Sequence, residues 1–287
     1  MCEAQDLEPR RWGHLPVGAN FAGGGYIETR GDIAFDPVLR IEDGEVELHT
    51  LLGKYIHSFE LMGKSARFDL TQAYQDGSWT GLIDGVPAVA NRSGLSDTVV
   101  RFALNLMGAP PLAGKEFAAY RAGVVDCETI VGAGLVVVLP TGDYLDDKLI
   151  NLGENRFTFR PQLGVVHSRG PWSYEFTGSA WFYTDNDEFW NGHHISQDPL
   201  ITAQGHLIHT FRPGLWLGAS LGYGFGGRST VDGVGKDDRK SQLVWGLTCG
   251  LPLSRSVGVK VGYIGSRTFQ DTGADLDHFA CAISVLW

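Results

Sequence analysis

Apolar residues recur at every second position in many segments of this chain. In the last segment Phe279, Cys281, Ile283, Val285 and Trp287 alternate with small or polar residues. Successive side chains of a β-strand point to opposite faces, so this alternation predicts a strand with one apolar face. A final strand that ends on an aromatic residue is typical of outer-membrane barrels, where aromatic side chains form girdles at the membrane interface.

Segments with this alternation occur along the whole chain, and each is close to the roughly 9–11 residues that a tilted membrane strand requires. They lie at about 17–28, 45–58, 65–76, 97–107, 128–139, 156–167, 172–183, 199–209, 215–226, 241–251, 256–265 and 276–287. The pattern is clearest at 157–165, 172–182 and 215–225, where one face is apolar and the other polar or small. This favours an apolar face turned to lipid and a polar lumen, although a soluble β-sandwich shows the same period with its apolar face inward.

The connections between these segments are alternately short and long. Short turns occupy 62–64, 168–171, 210–214 and 252–256, and long polar loops occupy 77–96, 140–155, 184–198, 227–240 and 266–275. Outer-membrane barrels have short periplasmic turns and long extracellular loops, so both termini are expected on the periplasmic side. One connection on the short-turn side, 108–127, is long, and its sequence GKEFAAYR predicts a short helix at 114–121.

We therefore predict one all-β domain over residues 1–287, a closed antiparallel transmembrane β-barrel of about 12 strands. Residues 1–16 are expected to form an N-terminal periplasmic segment, and residues 108–127 a periplasmic insertion. The expected signal for the barrel-assembly machinery is the apolar face of the last strand, which carries Phe279, Ile283, Val285 and Trp287.

The composition argues against several other classes of protein. The formal net charge of -10 argues against a nucleic-acid partner, because nucleic acids are bound mainly through lysine and arginine. The longest apolar run, residues 130–139, is about half of the roughly 20 residues that a spanning helix needs. The four cysteines show no CxxC spacing, so neither a zinc site nor a redox pair is indicated. A signal peptide has a charged region followed by an apolar core, and the N-terminus does not show this pattern. In this one respect the sequence departs from that of an exported protein.

Several phrases of the sequence point to a known family when they are taken together. They are DLEPRRW (6–12), GKSARFDL (63–70), RFALNLMGAP (101–110), LPTGDY (139–144), NLGENRFTFRPQLGV (151–165), FYTDNDEFW (182–190), QDPL (197–200), QGHLIHTFRPGLW (204–216) and GGRSTVDGV (226–234). In this order they resemble the bacterial family called putative MetA-pathway of phenol degradation, over residues 6–287. The resemblance implies a Gram-negative outer-membrane β-barrel of the transporter kind, for small hydrophobic or aromatic compounds. It implies no catalytic residue and no cofactor.

Charged, polar and aromatic residues on the predicted inward face are expected to line the lumen. These candidates are Arg67, Asp69, Arg101, Asn105, Arg160, Gln162, Glu175, Trp181, Gln204, His206, Trp216, Lys260 and His278. Ionisable side chains at membrane depth are costly unless they pair or face water, which places them inside the barrel. Two roles fit them: a structural ladder of ion pairs that fills a narrow barrel, or a lining that selects solutes by charge. The tryptophans would either stack on an aromatic solute or plug the bore.

Two further groups of residues have the composition of chemical sites. The loop DNDE at 185–188 and the nearby His193 and His194 are residue types that bind metals. Their spacing matches no standard metal loop and the segment is rich in turn formers, so a solvated loop tip is favoured and no metal is expected. His206 and Ser220 offer a base and a nucleophile, but no GxSxG motif accompanies them.

The function that these features favour is an outer-membrane channel or transporter that passes small molecules by passive diffusion through a polar lumen. Its expected partners are outer-membrane lipid, a small-molecule solute and the assembly machinery, and neither enzyme activity nor a cofactor is expected. One alternative is an outer-membrane enzyme resembling a lipase or acyltransferase barrel, since a catalytic triad is recognised by geometry rather than by residue order. The other is a non-conducting barrel with a structural or surface-binding role.

Overall fold

The computed structural model describes residues 7–35, 41–123 and 127–287. Within these ranges the chain forms antiparallel strands joined by turns and loops, together with one helix. The elements in chain order are β1 (Asn20–Ala34), β2 (Ile41–Leu61), β3 (Lys64–Ile83), β4 (Val86–Leu95), β5 (Thr98–Met107), α1 (Gly114–Gly123), β6 (Cys127–Leu139), β7 (Thr158–Arg169), β8 (Trp172–Tyr183), β9 (Asn186–Phe189), β10 (His193–Gln197), β11 (Leu200–Arg212), β12 (Leu215–Gly226), β13 (Ser229–Val231), β14 (Val234–Gly235), β15 (Lys240–Pro252), β16 (Val257–Thr268) and β17 (Gly273–Leu286).

Twelve of these strands close into an antiparallel barrel. Around the barrel their order is β1, β2, β3, β5, β6, β7, β8, β11, β12, β15, β16 and β17. Closure occurs where β1 pairs with β17, and there the backbones of Asn20 and Trp287 exchange hydrogen bonds of 2.9 and 3.0 Å. Pairing the two sheet edges in this way satisfies backbone groups that lipid cannot hydrogen-bond. The predicted twelve-stranded closed barrel is confirmed, and each of the predicted segments overlaps one barrel strand.

The two faces of the wall have opposite chemistry. Leu163, Phe176 and Leu221 point outward and are 64%, 54% and 57% exposed, whereas their inward neighbours Gln162 and Thr177 are buried. A wide apolar outer surface is stable only where lipid covers it, so the predicted alternation is realised with the apolar face toward the membrane. The molecule therefore has the architecture of a β-barrel that spans a membrane.

One side of the barrel rises well above the rest, because β2 and β3 continue beyond the membrane-spanning region. Strand β3 pairs with β5 over residues 66–71 and then with β4 over residues 74–83. The predicted loop at 77–96 is thus a β-hairpin. Its turn is the dipeptide Asp84-Gly85, in which both residues have positive φ, of 50° and 77°. Asp-Gly favours the two-residue turns that connect tightly paired strands.

The remaining connections position the two ends of the barrel. On the long-loop side, β14, β13, β10 and β9 form a separate small sheet in that order, built from connections that the sequence predicts as loops. On the short-turn side, α1 lies in the 108–127 connection at the place where the sequence predicts a helix. Among residues 7–35, 41–123 and 127–287, no helix has the length and apolar character needed to cross a bilayer.

Candidate functional site: the occupied barrel lumen

The strand register places all of the predicted lumen residues on the inward face of the wall. The buried ones are Asp69, Arg101, Arg160, Gln162, Glu175, Trp181, Gln204, His206 and Trp216. The half-buried ones are Arg67, Asn105, Lys260 and His278. Side chains that point into a lumen become this inaccessible only when other atoms fill the space in front of them.

Part of that filling is the chain's own N-terminal segment. Residues 7–15, called the lumen segment below, lie against the inward faces of the barrel strands, and Trp12 at their centre is only 2% exposed. The sequence predicts a periplasmic position for residues 1–16, and that expectation is corrected for residues 7–15. The physical reason is that these residues supply charges and an indole ring that match groups on the inward face. Residues 1–6 lie outside the described part of the chain.

The Trp12 ring lies in a notch that inward-facing glycines create. A Cβ atom on Gly164 would lie 2.0 Å from Trp12 Nε1, and one on Gly132 would lie 2.4 Å from Trp12 Cε3. Trp12 Nε1 donates a hydrogen bond of 2.8 Å to Thr177 Oγ1, and the Arg101 guanidinium carbon lies 4.8 Å from the ring centroid. These four barrel residues define what we call the indole slot. The slot holds an aromatic ring by shape, by one hydrogen bond and by a cation over its face.

Arg10 makes a second set of contacts, closer to the short-turn end of β8, β11 and β12. Its backbone N–H donates to Glu175 Oε2 at 2.7 Å, and its Nη2 donates to Thr210 Oγ1 at 2.7 Å. Its guanidinium carbon lies 4.7 Å from the centroid of the Trp216 ring. In this conformation Arg10 therefore covers the face of Trp216 on which an aromatic solute was expected to stack.

Glu8 is an anion placed among cations of the wall. Its Oε1 is 2.9 Å from Lys54 Nζ and 3.8 Å from Lys260 Nζ, on opposite sides of the β1–β17 closure. Arg11 Nη2 lies 3.7 Å from Glu8 Oε2 within the same segment. A carboxylate here compensates two lysines that would otherwise repel one another in a low-dielectric space, so Glu8 of the lumen segment offsets the positive charge at this part of the wall.

Wall residues form a further charged network beside the lumen segment. The Arg67 guanidinium makes a bidentate pair with the Asp69 carboxylate, and Arg67 Nη1 donates to the backbone oxygen of Arg11 at 3.2 Å. Arg101 Nη1 lies 3.4 Å from Asp69 Oδ2, and its Nε donates to Gln162 Oε1 at 3.3 Å. Buried charges are tolerated only when they are paired and hydrogen-bonded, and this network meets that condition for Asp69.

Arg160 and Trp181 form a similar pair nearer the long-loop end of the lumen. The Arg160 guanidinium carbon lies 4.3 Å from the Trp181 ring centroid, and its Nε donates to Ser179 Oγ at 2.9 Å. Ser179 Oγ is 2.6 Å from Thr202 Oγ1 on the neighbouring strand. Arginine stacked on an aromatic ring therefore recurs along the bore, at Trp12, Trp181 and Trp216.

The lumen segment is held at the periplasmic mouth by the connection that contains α1. His14 Nε2 is hydrogen-bonded to the backbone oxygen of Pro110 at 2.7 Å, and its ring makes edge contacts with Phe117 and Tyr120 of α1. Burial lowers the pKa of His14 below its ordinary value, with the Pro110 carbonyl and the Glu128 carboxylate acting in the opposite direction. The imidazole is therefore held preferentially in its neutral form.

A family model described as putative MetA-pathway of phenol degradation matches residues 19–273. The chain belongs to this family. The resemblance carried by the sequence motifs is thereby confirmed. The matched range begins just after the lumen segment.

The fold agrees with this family membership. The chain is similar to the COG4313 outer membrane channel from Pseudomonas putida F1, with 22% identity, a TM-score of 0.80, and coverage of 98% of this chain and 100% of that one. It is also similar to the β-domain of the Bordetella autotransporter BrkA, with 9% identity, a TM-score of 0.52, and coverage of 94% and 100%. At these identities the likeness shows the barrel fold. No curated protein matches the chain.

In this family member the candidate nucleophile and base do lie together. His206 Nδ1 is 2.7 Å from Ser220 Oγ, and Glu175 lies directly opposite His206 on β8. A hydrolase also needs room for the acyl group and donors for the oxyanion. The lumen segment takes that room, because Leu7 packs on Gly222 and Arg10 caps the Glu175 carboxylate. In this conformation Glu175, His206 and Ser220 form a polar ladder across three neighbouring strands.

The two histidines of the extracellular loop are bound to different carboxylates. His193 Nδ1 is 2.5 Å from Asp232 Oδ2, and His194 Nδ1 is 2.7 Å from Asp187 Oδ1. The Asp187 hydrogen bond raises the pKa of His194. Across the described residues, no three His, Cys, Asp or Glu side chains are grouped as a metal would require. These contacts instead join β9, β10 and the β13–β14 turn in the small sheet.

Sequence reasoning missed the functional residues of the lumen segment, among them Glu8, Arg10 and Trp12. Their phrase DLEPRRW contributed to the family resemblance but was placed outside the barrel. A usable signal was present in the strands, where Gly132 and Gly164 stand at inward positions directly opposite each other. Paired inward glycines leave a gap in the wall lining, and a tryptophan in a charged segment is a natural candidate to fill it.

Proposed function

We propose that this protein is an outer-membrane channel for small hydrophobic or aromatic molecules, which diffuse through the barrel when the lumen segment leaves it. The observation that carries the proposal is that a terminal segment, rather than a strand, fills the centre of the bore. Trp12, Arg10 and Glu8 are attached to the wall by non-covalent contacts alone. Such a plug is removable without breaking any strand pairing.

The solute class is supported by two lines of argument. The family to which the chain belongs is named for phenol degradation, and one similar fold is that of an outer membrane channel. The lumen itself contains stacked arginine–aromatic pairs at Trp12, Trp181 and Trp216, which are surfaces that aromatic solutes can share. Passage is passive in this proposal, because the wall needs only to supply a path and transient contacts.

The energetics favour a closed resting state. Truncating a buried tryptophan costs proteins about 3–5 kcal/mol, so the Trp12 contacts alone hold the segment firmly in place. A solute or a partner protein opens the bore only to the extent that it binds the open state more tightly than the closed one. The channel is thus expected to conduct rarely when no solute is present.

Single-channel recording in planar bilayers tests the proposal. We expect the wild-type protein to open rarely and Trp12→Ala to open frequently, with an unchanged barrel as judged by its heat-modifiable mobility in gels. Trp172→Ala is the matched control, because Trp172 is on the lipid face and 41% exposed. A folded Trp12→Ala barrel that stays as silent as the wild type would contradict the proposal.

A further inference from the structure

We propose that the indole slot is a binding site for neutral aromatic solutes that carry one hydrogen-bond donor, of which phenols are the simplest. Trp12 occupies the slot as an internal stand-in, and the solute competes with it. This inference rests on the proposed channel function, since it names the solute class and the place where that solute is held.

The shape of the slot belongs to the barrel wall and not to the lumen segment. Gly132 and Gly164 are directly opposite in the β6–β7 register, and Gly164 is opposite Thr177 in the β7–β8 register. The backbone of the two glycines therefore forms a flat floor that ends at the Thr177 hydroxyl. Because adjacent strands are fixed by hydrogen bonds, this floor persists when Trp12 leaves.

The sides of the slot are apolar. Ala103, Ile130 and Val166 are each buried and pack with Trp12 in one cluster. Gly134 continues the floor, with its Cβ position 3.4 Å from Trp12 Cη2. A flat apolar gap of this kind accepts a ring but gives no space to a branched aliphatic group. A vacated apolar cavity is a good site for small aromatic molecules, as engineered cavities in other proteins show.

The polar groups around the slot specify the kind of ring. Thr177 Oγ1 accepts a hydrogen bond from Trp12 Nε1 at the ring edge, so a phenol hydroxyl or an indole N–H satisfies it in the same way. Arg101 lies over the ring face, and a cation attracts electron-rich rings most strongly. A ring without a donor would leave the buried Thr177 hydroxyl with one contact fewer, which lowers affinity.

Trp12, which fills the slot, differs from the other residues of its cluster because it does not lie on a barrel strand or on a connection between strands. Trp12 precedes the first strand, which begins at Asn20, so its departure from the slot breaks no strand pairing. A solute that binds the vacated slot stabilises the open state in proportion to its affinity for it. Phenol is therefore expected both to bind inside the bore and to favour release of the lumen segment.

The first experiment restores the missing ring with a free solute. In Trp12→Ala, added phenol should reduce the single-channel current partially and saturably, because one ring narrows the bore without filling it. A titration with fluorophenol followed by 19F NMR should show a saturable bound signal. Gly164→Ala in the Trp12→Ala background places a methyl group in the slot and should weaken both effects by roughly tenfold or more. Gly178→Ala is the matched control, because a Cβ there meets nothing within 4 Å.

The second experiment tests the donor. In Trp12→Ala, phenol should bind about fivefold more tightly than anisole, which has the same ring without a hydroxyl donor. Thr177→Val should remove this preference, whereas the control Gly178→Ala should keep it. Equal affinities for phenol and anisole, or a preference that survives Thr177→Val, would show that the slot does not select by its hydrogen bond.

The two proposals fail in different ways. A Trp12→Ala barrel that conducts but shows no saturable phenol binding, or binds it equally with Gly164→Ala, overturns the slot and leaves the channel standing. A Trp12→Ala barrel that binds fluorophenol but never conducts supports the slot and removes the channel. In the wild-type protein, where every side chain is native, phenol should raise the open probability, and an unchanged open probability counts against the slot.

Discussion

Gly164→Ala tests whether the Trp12 ring occupies the lumen, because it adds a single methyl group at the position where that ring lies. The new Cβ would lie 2.0 Å from Trp12 Nε1 and 2.2 Å from its Cε2, whereas carbon atoms in contact are about 3.5–4.0 Å apart. The floor of the indole slot is strand backbone, which is fixed by hydrogen bonds and cannot shift far. The Trp12 ring must therefore move by roughly 1.5 Å or leave the slot. Movement forfeits the hydrogen bond to Thr177, worth about 1 kcal/mol, and the cation–π contact with Arg101, worth about 0.5–2 kcal/mol.

Complete departure of the ring also forfeits its burial, which brings the loss to about 3–5 kcal/mol, the usual cost of truncating a buried tryptophan. The ratio of closed to open channels should then fall by roughly two to four orders of magnitude, at about 1.4 kcal/mol for each tenfold. Single-channel open probability measures this directly. Gly178→Ala adds the same methyl group on the lipid side of the neighbouring strand and should leave the open probability unchanged. Equal open probabilities for Gly164→Ala and the wild type, with both barrels folded, would refute the assigned position of Trp12.

Three other results are expected. Burial lowers the pKa of His14, so its docking is stable above the ordinary pKa of about 6.5 and weakens as the pH falls below it; open probability should rise on acidification in the wild type but stay flat in His14→Gln. Asp97→Ala removes the carboxylate that accepts two backbone N–H groups of loop 140–155, at 2.8 and 2.9 Å, so limited proteolysis should cut that loop faster and leave β7 intact. Deletion of Trp287 removes the last outward aromatic residue and its hydrogen bonds to Asn20, so less heat-modifiable barrel should reach the outer-membrane fraction than with the lipid-facing control Trp172→Ala.

The parts of the structure that the sequence predicted are those that depend on local period. The apolar alternation in β7, β8 and β12 identified the strands and their inward and outward faces, because successive side chains of a strand must point to opposite sides. Lipid selects the apolar face for the outside, so the same alternation also identified the lumen residues. The family motifs added membership of the phenol-degradation family, which is confirmed by the match over residues 19–273.

The parts that were missed depend on contacts between segments far apart in the chain. The sequence predicts a long polar loop at 77–96, whereas the structure has the hairpin of β3 and β4 with its turn at Asp84-Gly85. The position of the lumen segment was missed for a related reason. Nothing in the local pattern of residues 7–15 states that Trp12 meets Gly164, which lies more than a hundred residues later.

The sequence by itself determined a closed membrane barrel. Alternation with period 2 indicated the strands, and the alternating short and long connections together with the terminal aromatic residue distinguished a barrel from a soluble β-sandwich. It also determined which residues face the bore. Only the tertiary structure decided whether that bore is open. The answer depends on whether Trp12 finds paired glycines, a hydroxyl at Thr177 and a cation at Arg101 in one place. Strands β5 to β8 bring those groups together only when they pair side by side in the correct register and residues 7–15 fold against them. The period of residues along one strand does not specify these contacts between segments.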